Sequence, residues 1–249
     1  TGLVTVASWL DSFDPLLAQL PDETMAVPLH LEGPDYEIYK NNLSGYSSIV
    51  VGPGLGLRPE GKQLLRELLT HYQGPVVFDA DALNLIAEHD LHEFLVSRRA
   101  PTVLTPHPGE MSRLLGVSKE QIRENPVQSI RDAVAMTHAT VLLKGAATLI
   151  GSPEDVLYLN HYPNDGMATA GSGDVLAGMI GGLLGQMMDP FQATLLGVYL
   201  HSLAGDYAAR TFGHRSMTAP DIIENIGNAF KDIKTADVSA PMEGRVPLL

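Results

Sequence analysis

Cysteine is absent from the 249 residues, which excludes a disulfide-stapled fold, a thiolate zinc site and a cysteine nucleophile. The same absence tilts the reading towards a cytoplasmic protein. Positive charge is scarce: 16 Lys and Arg stand against 29 Asp and Glu, a formal net charge of −13. Nucleic acids and anionic membranes are bound through clustered Lys and Arg. No such cluster occurs in the sequence, so neither is an expected partner, while a small anionic ligand held at one prepared place stays open. Long apolar runs are lacking too. The uncharged run from Val175 to Met188, closed by Asp189 and Pro190, falls short of the ~18–20 residues that span a bilayer and reads as a buried core helix. The histidines show no HxxxH-type spacing, which speaks against a histidine metal site. At the start, no basic segment leads into an apolar one as in a secretion signal. Gly2 to Ser8 already reads as a strand, so the chain is expected to begin inside its domain.

What is present is ample apolar material, 45% of residues, enough to build the core of one large α/β domain or two small ones. Ser47 to Val51, Pro75 to Phe78, Thr102 to Thr105 and Thr140 to Leu143 are brief apolar runs bounded by Gly or Pro, the pattern of buried parallel strands. Between them, Glu60 to His71, Ala82 to Leu95 and Ser118 to His138 carry apolar residues three and four apart and are expected to be helices. This alternation predicts a doubly wound α/β sheet. Ala147 to Ile150 and Val156 to Leu159 predict a hairpin at the sheet edge. Gly173 to Met188, Pro190 to Phe212 and Ala219 to about Ile233 predict helices, and the tail from Thr235 is expected to be poorly ordered or docked on a neighbour. No repeat or long linker divides the chain.

Ligands of such sheets bind outside the carboxyl ends of the strands, which turns attention to the loops that follow them. Gly171-Ser172-Gly173-Asp174 leads into the apolar helix with Thr169 just ahead. Free N–H groups and the macrodipole at a helix start make an anion site; the equal alternative is that Ser172 or Asp174 merely caps the helix. The stretch from Asn164 to Ala170 has no large aliphatic side chain except Met167, so it has little to pack and suits a ligand. Lys144, at the end of a strand and before Gly145, reads as a phosphate ligand with Thr148 as a hydroxyl donor, or as a solvated lysine in a hairpin. Gly52-Pro53-Gly54-Leu55-Gly56 offers a close backbone approach without being the GxGxxG fingerprint. His107, held between Pro106 and Pro108, is either a ligand contact or a polar surface residue. Asp79 and Asp81 follow a strand and either hold Mg²⁺ through water or leave Asp81 as a helix cap. Together these loops predict a nucleotide or phosphate site at one edge of the sheet.

These segments also occur in the order found in a known family. Gly52-Pro53-Gly54-Leu55-Gly56, Asp79-Ala80-Asp81-Ala82-Leu83-Asn84, the run from Leu104 to Met111, Leu143-Lys144-Gly145 with Thr148, and the run from Gly166 to Gly178 resemble the ADP-dependent NAD(P)H-hydrate dehydratases of the ribokinase-like superfamily. The resemblance extends from Thr1 to about Ile233. It implies an α/β ribokinase-like three-layer fold, a central mostly parallel sheet flanked by helices. It also implies one catalytic domain over residues 1–249, short of the strand and Gly-rich turn with which family members begin.

The activity implied is ADP-dependent dehydration of the S epimer of hydrated NADH or NADPH, releasing AMP and phosphate, with Mg²⁺ and with ADP or ATP as co-substrate. By the same resemblance, Lys144, Gly145, Ala146, Ala147, Thr148, Thr169, Gly171, Ser172 and Gly173 would contact the adenine nucleotide. Gly54, Gly56, His107 and Asp174 would contact the hydrated dinucleotide, with Asp174 as the catalytic base and no metal ligand assigned among the side chains. A homo-oligomer, often a tetramer, is the implied assembly. Two alternatives stand beside this: an ATP-dependent vitamin- or thiazole-type kinase of the same superfamily, and a non-catalytic nucleotide-binding module.

Overall fold

The computed structural model describes residues 2–29 and 43–235. The tail beyond Thr235, expected to be poorly ordered, lies outside the described residues. Elements run β1 (Thr5–Trp9), α1 (Leu10–Leu17), β2 (Met25–Leu29), β3 (Ile49–Val51), α2 (Pro59–His71), β4 (Val76–Phe78), α3 (Ala80–Glu88), α4 (His92–Ser97) and β5 (Thr102–Leu104). Then follow α5 (Pro108–Leu115), α6 (Lys119–Glu124), α7 (Pro126–Thr137), β6 (Thr140–Leu143), β7 (Thr148–Gly151), β8 (Leu157–Asn160), α8 (Ser172–Leu184), α9 (Pro190–Phe212) and α10 (Ala219–Thr235). Internal contacts divide the chain into two compact units, one of residues 1–163 and 176–198, the other of 164–175 and 199–249.

The first unit holds a six-stranded sheet in the order β3-β4-β5-β6-β7-β8. Its first four strands pair in parallel, as expected of short runs buried on both faces, and β7 and β8 add the antiparallel hairpin at the edge. Side chains alternate along each strand, so Val76 and Phe78 of β4 join one apolar cluster and Val77 the other. The first cluster is completed by α2, α3, α4, α5 and α7; the second by Leu176, Ala177, Ile180, Leu183 and Leu184 of α8 with Ala193 and Val198 of α9. The result is an α/β architecture in three layers, the mostly parallel sheet lying between two layers of helices. A separate parallel pair, β1 with β2, is tied to the loop after β3 by the indole N–H of Trp9, which donates to the Leu55 carbonyl at 2.7 Å.

Two predicted helices are each broken in two. Ala82 to Leu95 divides at Asp90, whose φ of 52° puts a non-glycine residue in the left-handed region and ends the helical path. Ser118 to His138 divides at Asn125, which precedes Pro126 and is therefore turned out of the helical region, while Pro126 restarts the next helix at its first turn. The helix after His107 begins at Pro108.

The second unit contains a 3₁₀ turn at Asp165–Met167, the start of α8, the later part of α9 and α10. Its buried side chains include Leu200, Leu203, Ile222 and Met217 beside the small Ala204, Ala208 and Ala229. Among the described residues no helix is long and apolar enough to cross a membrane.

Candidate functional site

In the first unit, the loops after β3, β4, β5 and β6 come together at the carboxyl ends of these strands. Gly52 has a φ of 130°, and a Cβ there would lie 1.7 Å from the Asp79 carbonyl oxygen, so only glycine lets the two loops cross this closely. The Asp79 N–H donates back to the Val51 carbonyl at 3.1 Å. Asp81 does not cap α3; its carboxylate accepts the Gly56 N–H at 2.8 Å and shapes the glycine turn that carries Gly54 and Gly56. Between the two aspartates, Ala80 sits at a φ of 47°, a strained setting for alanine of the sort that clusters at functional sites.

Asp79 itself is 1% exposed, and its Oδ1 lies 2.6 Å from the Lys144 ammonium. Lys144 is thus a partly buried strut, its backbone N–H bonded to the Pro106 carbonyl at 2.9 Å. Of the two readings of this lysine, the solvated one is excluded, and its charge is shared with Asp79 and, at 3.9 Å, with Glu110. Gly145, Ala146 and Ala147 beyond it are exposed, and the Thr148 hydroxyl donates to the Gly145 carbonyl at 3.2 Å.

His107 caps α5. Its Nδ1 accepts the N–H groups of Gly109 (2.9 Å) and Glu110 (3.3 Å), and the Glu110 carboxylate accepts the His107 N–H at 2.8 Å. The ring is half-exposed with Nε2 3.3 Å from Glu110 Oε1. Burial holds its pKa below the ordinary imidazole range, opposed by the charge of Glu110, reinforced by Lys144 and Arg113, and opposed again by Asp79. The side chain is therefore neutral near pH 7. Glu110 is the residue that motif reading passes over: the His-Pro-Gly-Glu spacing is that of a capping box, and in it the glutamate is 5% exposed.

In the second unit, the turn into α8 is fixed by its own packing. The Asn164 amide donates to Asp206 at 3.1 Å and its carbonyl accepts the Gly166 N–H at 3.0 Å. Asp165 and His214 are paired at 2.6 Å. Against the expectation that this stretch has little to pack, Met167 fills the notch left by Gly205: its sulfur lies 2.0 Å from where a Cβ of residue 205 would stand. The flexible thioether suits such an irregular gap.

Gly171 turns at a φ of 84°. The Ser172 hydroxyl points inwards, 3.4 Å from His201 Nε2, and both residues are buried. Burial pushes the His201 pKa down to about 4, a bond with the Ser172 backbone acting weakly the other way. His201 had no signal in the sequence beyond its place on an apolar helix. Thr169 and Gly173 are half-buried and Asp174 is exposed in the first turn of α8.

A mostly parallel sheet between helix layers, with glycine turns and a charged cluster at its strand ends, defines the first unit as an α/β fold of the kind that takes ligands at the carboxyl ends of its strands. The comparisons narrow this class. The NAD(P)H-hydrate dehydratase family matches residues 1–228, and the chain belongs to that family. It is 45% identical over 186 residues to the bifunctional NAD(P)H-hydrate repair enzyme Nnr of Moorella thermoacetica, covering 75% of this chain and 35% of that protein. It is 42% identical over 165 residues to the ADP-dependent (S)-NAD(P)H-hydrate dehydratase of Neisseria meningitidis, covering 66% of this chain and 56% of that one. The chain thus spans between about a third and a little over half of the length of these relatives. Among solved structures, the ADP/ATP-dependent NAD(P)H-hydrate dehydratase of Bacillus subtilis, co-crystallised with ATP and Mg²⁺, superimposes with a TM-score of 0.76 at 26% identity, covering 93% of this chain and 81% of that one.

Proposed function

We propose that this chain carries out the ADP-dependent dehydration of the S epimer of hydrated NADH or NADPH, restoring the coenzyme and releasing AMP and phosphate. The observation that carries this reading is the exposed Asp174 carboxylate in the first turn of α8, set in a glycine turn whose serine is anchored to His201. In this reading Asp174 accepts the proton of the hydrate's hydroxyl as that oxygen attacks the terminal phosphoryl group of ADP. AMP leaves, and the phosphorylated hydrate then loses phosphate and a ring proton to regenerate the double bond. The segment Lys144 to Thr148, with Thr169, Gly171, Ser172 and Gly173, would hold the nucleotide; Gly54, Gly56 and His107 would hold the hydrated dinucleotide.

Mg²⁺ fits these residues as an ion carried on nucleotide phosphates rather than held in a protein cage. Among the described residues no three acidic or histidine side chains gather as metal ligands, and Asp79 is committed to Lys144. Asp81, half-buried beside the glycine turn, would meet such an ion through water. The bound ion would supply charge neutralisation at the transferred phosphoryl group.

Incubating hydrated NADH with ADP and Mg²⁺ should restore the near-ultraviolet absorbance of NADH; no recovery with either ADP or ATP overturns the reading. Asp174→Asn should lower kcat by about 10²–10⁴-fold or more while leaving AMP binding nearly intact, as expected on losing a positioned base. Binding by the wild type without turnover would point instead to a nucleotide-binding module. The reading takes the protein to be cytoplasmic and a homo-oligomer, with a tetramer as the expected assembly. The exposed Ile223, Phe230 and Ile233 along α10 supply apolar surface for it, and light scattering checks the mass.

A further inference from the structure

Two carboxylates have no task in the reaction just described, yet Asp79 and Glu110 are 1% and 5% exposed. A buried carboxylate is costly unless a partner and hydrogen bonds replace the lost water, and each of these has a specific partner. Asp79 Oδ1 holds Lys144 at 2.6 Å. Glu110 accepts the His107 backbone N–H through Oε2 at 2.8 Å and lies 3.3 Å from His107 Nε2 through Oε1, with Lys144 3.9 Å from Oε2. His107 Nδ1 accepts two backbone N–H groups, and an accepting imidazole nitrogen carries no proton, so in the neutral ring the proton resides on Nε2. A helix cap alone would be served by Ser, Thr, Asp or Asn. Here Glu110 holds the backbone of the capping residue, Nδ1 is fixed by two N–H groups, and the Nε2 edge of the half-exposed ring, 3.3 Å from Glu110 Oε1, stays outside the cap.

We propose that Asp79 and Glu110 are positioning residues: Glu110 orients His107 as a hydrogen-bond donor towards a phosphate or hydroxyl oxygen of the hydrated dinucleotide, and Asp79 fixes Lys144 so that the loops after β4, β5 and β6 move as one piece. The assignment rests on the reading of His107 as a substrate contact, and its first measurement requires no substrate. The charged groups facing His107 are Glu110 and Arg113 on α5, Lys144 after β6 and Asp79 after β4, with Lys119 of α6 close to the neighbouring Gly109.

The experiment follows the His107 ring proton by NMR against pH in the wild type and in Glu110→Gln, and measures the Kd for NADPH in both. Loss of the carboxylate charge should move the His107 midpoint to lower pH, and NADPH should bind about 10-fold more weakly, the cost of roughly one oriented hydrogen bond. Glu110→Asp, which keeps the charge but shortens the reach, should leave the midpoint nearer the wild type while still weakening NADPH binding; it also serves if the Gln variant fails to fold. Asp79→Asn should weaken NADPH binding through the loosened loops, and adding Lys144→Met should change that binding by less than the two single effects combined. A folded Glu110→Gln protein that merely melts earlier, with an unchanged His107 midpoint and an unchanged Kd, overturns the proposal. Failure of the wild type to dehydrate hydrated NADH would instead overturn the reaction, and the midpoint shift would still report on Glu110.

Discussion

At the scale of single residues, the chemistry of this chain is governed by side chains that leave water. His201 is the clearest case. Its folded pKa of about 4 lies below the ordinary value of 6.5, so the folded state resists the proton that the unfolded state accepts. The stability this contributes is fully present above about pH 6.5 and is lost as pH falls towards 4, by about 3 kcal/mol at most. Thermal melts from pH 7.5 to 4.5 should therefore show the wild type losing more stability on acidification than His201→Gln; parallel curves for the two would show that His201 is not the group responsible. Neither this histidine nor the burial of Glu110 is legible in the sequence, because burial of a polar group is decided by what packs over it from distant parts of the chain. The loop residues His107, Lys144 and Gly52 are legible, because proline, glycine and a lysine at a strand end leave local marks. Their partners are not: the Asp79 that neutralises Lys144 is 65 positions away.

Among elements, strands β4 to β6 stand out in the sequence because each is buried on both faces and so reads as an uninterrupted apolar run. The breaks at Asp90 and Asn125 do not, since the apolar spacing of three and four continues across both and only one backbone conformation ends each helix. Small residues in and just after α8 allow close packing at two places. A Cβ at Gly181 would lie 2.3 Å from a Val50 methyl, and one at Gly185 would lie 3.0 Å from the Ser48 hydroxyl, while Gly178 faces open space. Gly181→Ala should destabilise the protein by about 1–3 kcal/mol, the usual cost of overpacking, and Gly178→Ala should be neutral or stabilising because alanine is the better helix former. Denaturant unfolding of the two variants side by side checks this, and equal effects would contradict the assigned contact.

For the molecule as a whole, the net charge of −13 sets a field that opposes the approach of polyanions, so under the proposed function capture would rest on local donors such as backbone N–H groups and the ring of His107. Screening that field should help rather than hinder. Raising salt from about 10 to 150 mM, which shortens the Debye length to about 8 Å, should speed ADP association; a slowing would mean that a positive patch steers the nucleotide. One contact offers a way to watch such events. The chain's single tryptophan, Trp9, donates its indole N–H to the Leu55 carbonyl in the middle of the glycine turn, and an indole's emission follows the polarity and hydrogen bonding of its surroundings. Occupation of Gly54 and Gly56 should shift the emission of Trp9, whereas adenine nucleotide alone should leave it unchanged, making the protein its own optical reporter of which ligand has arrived.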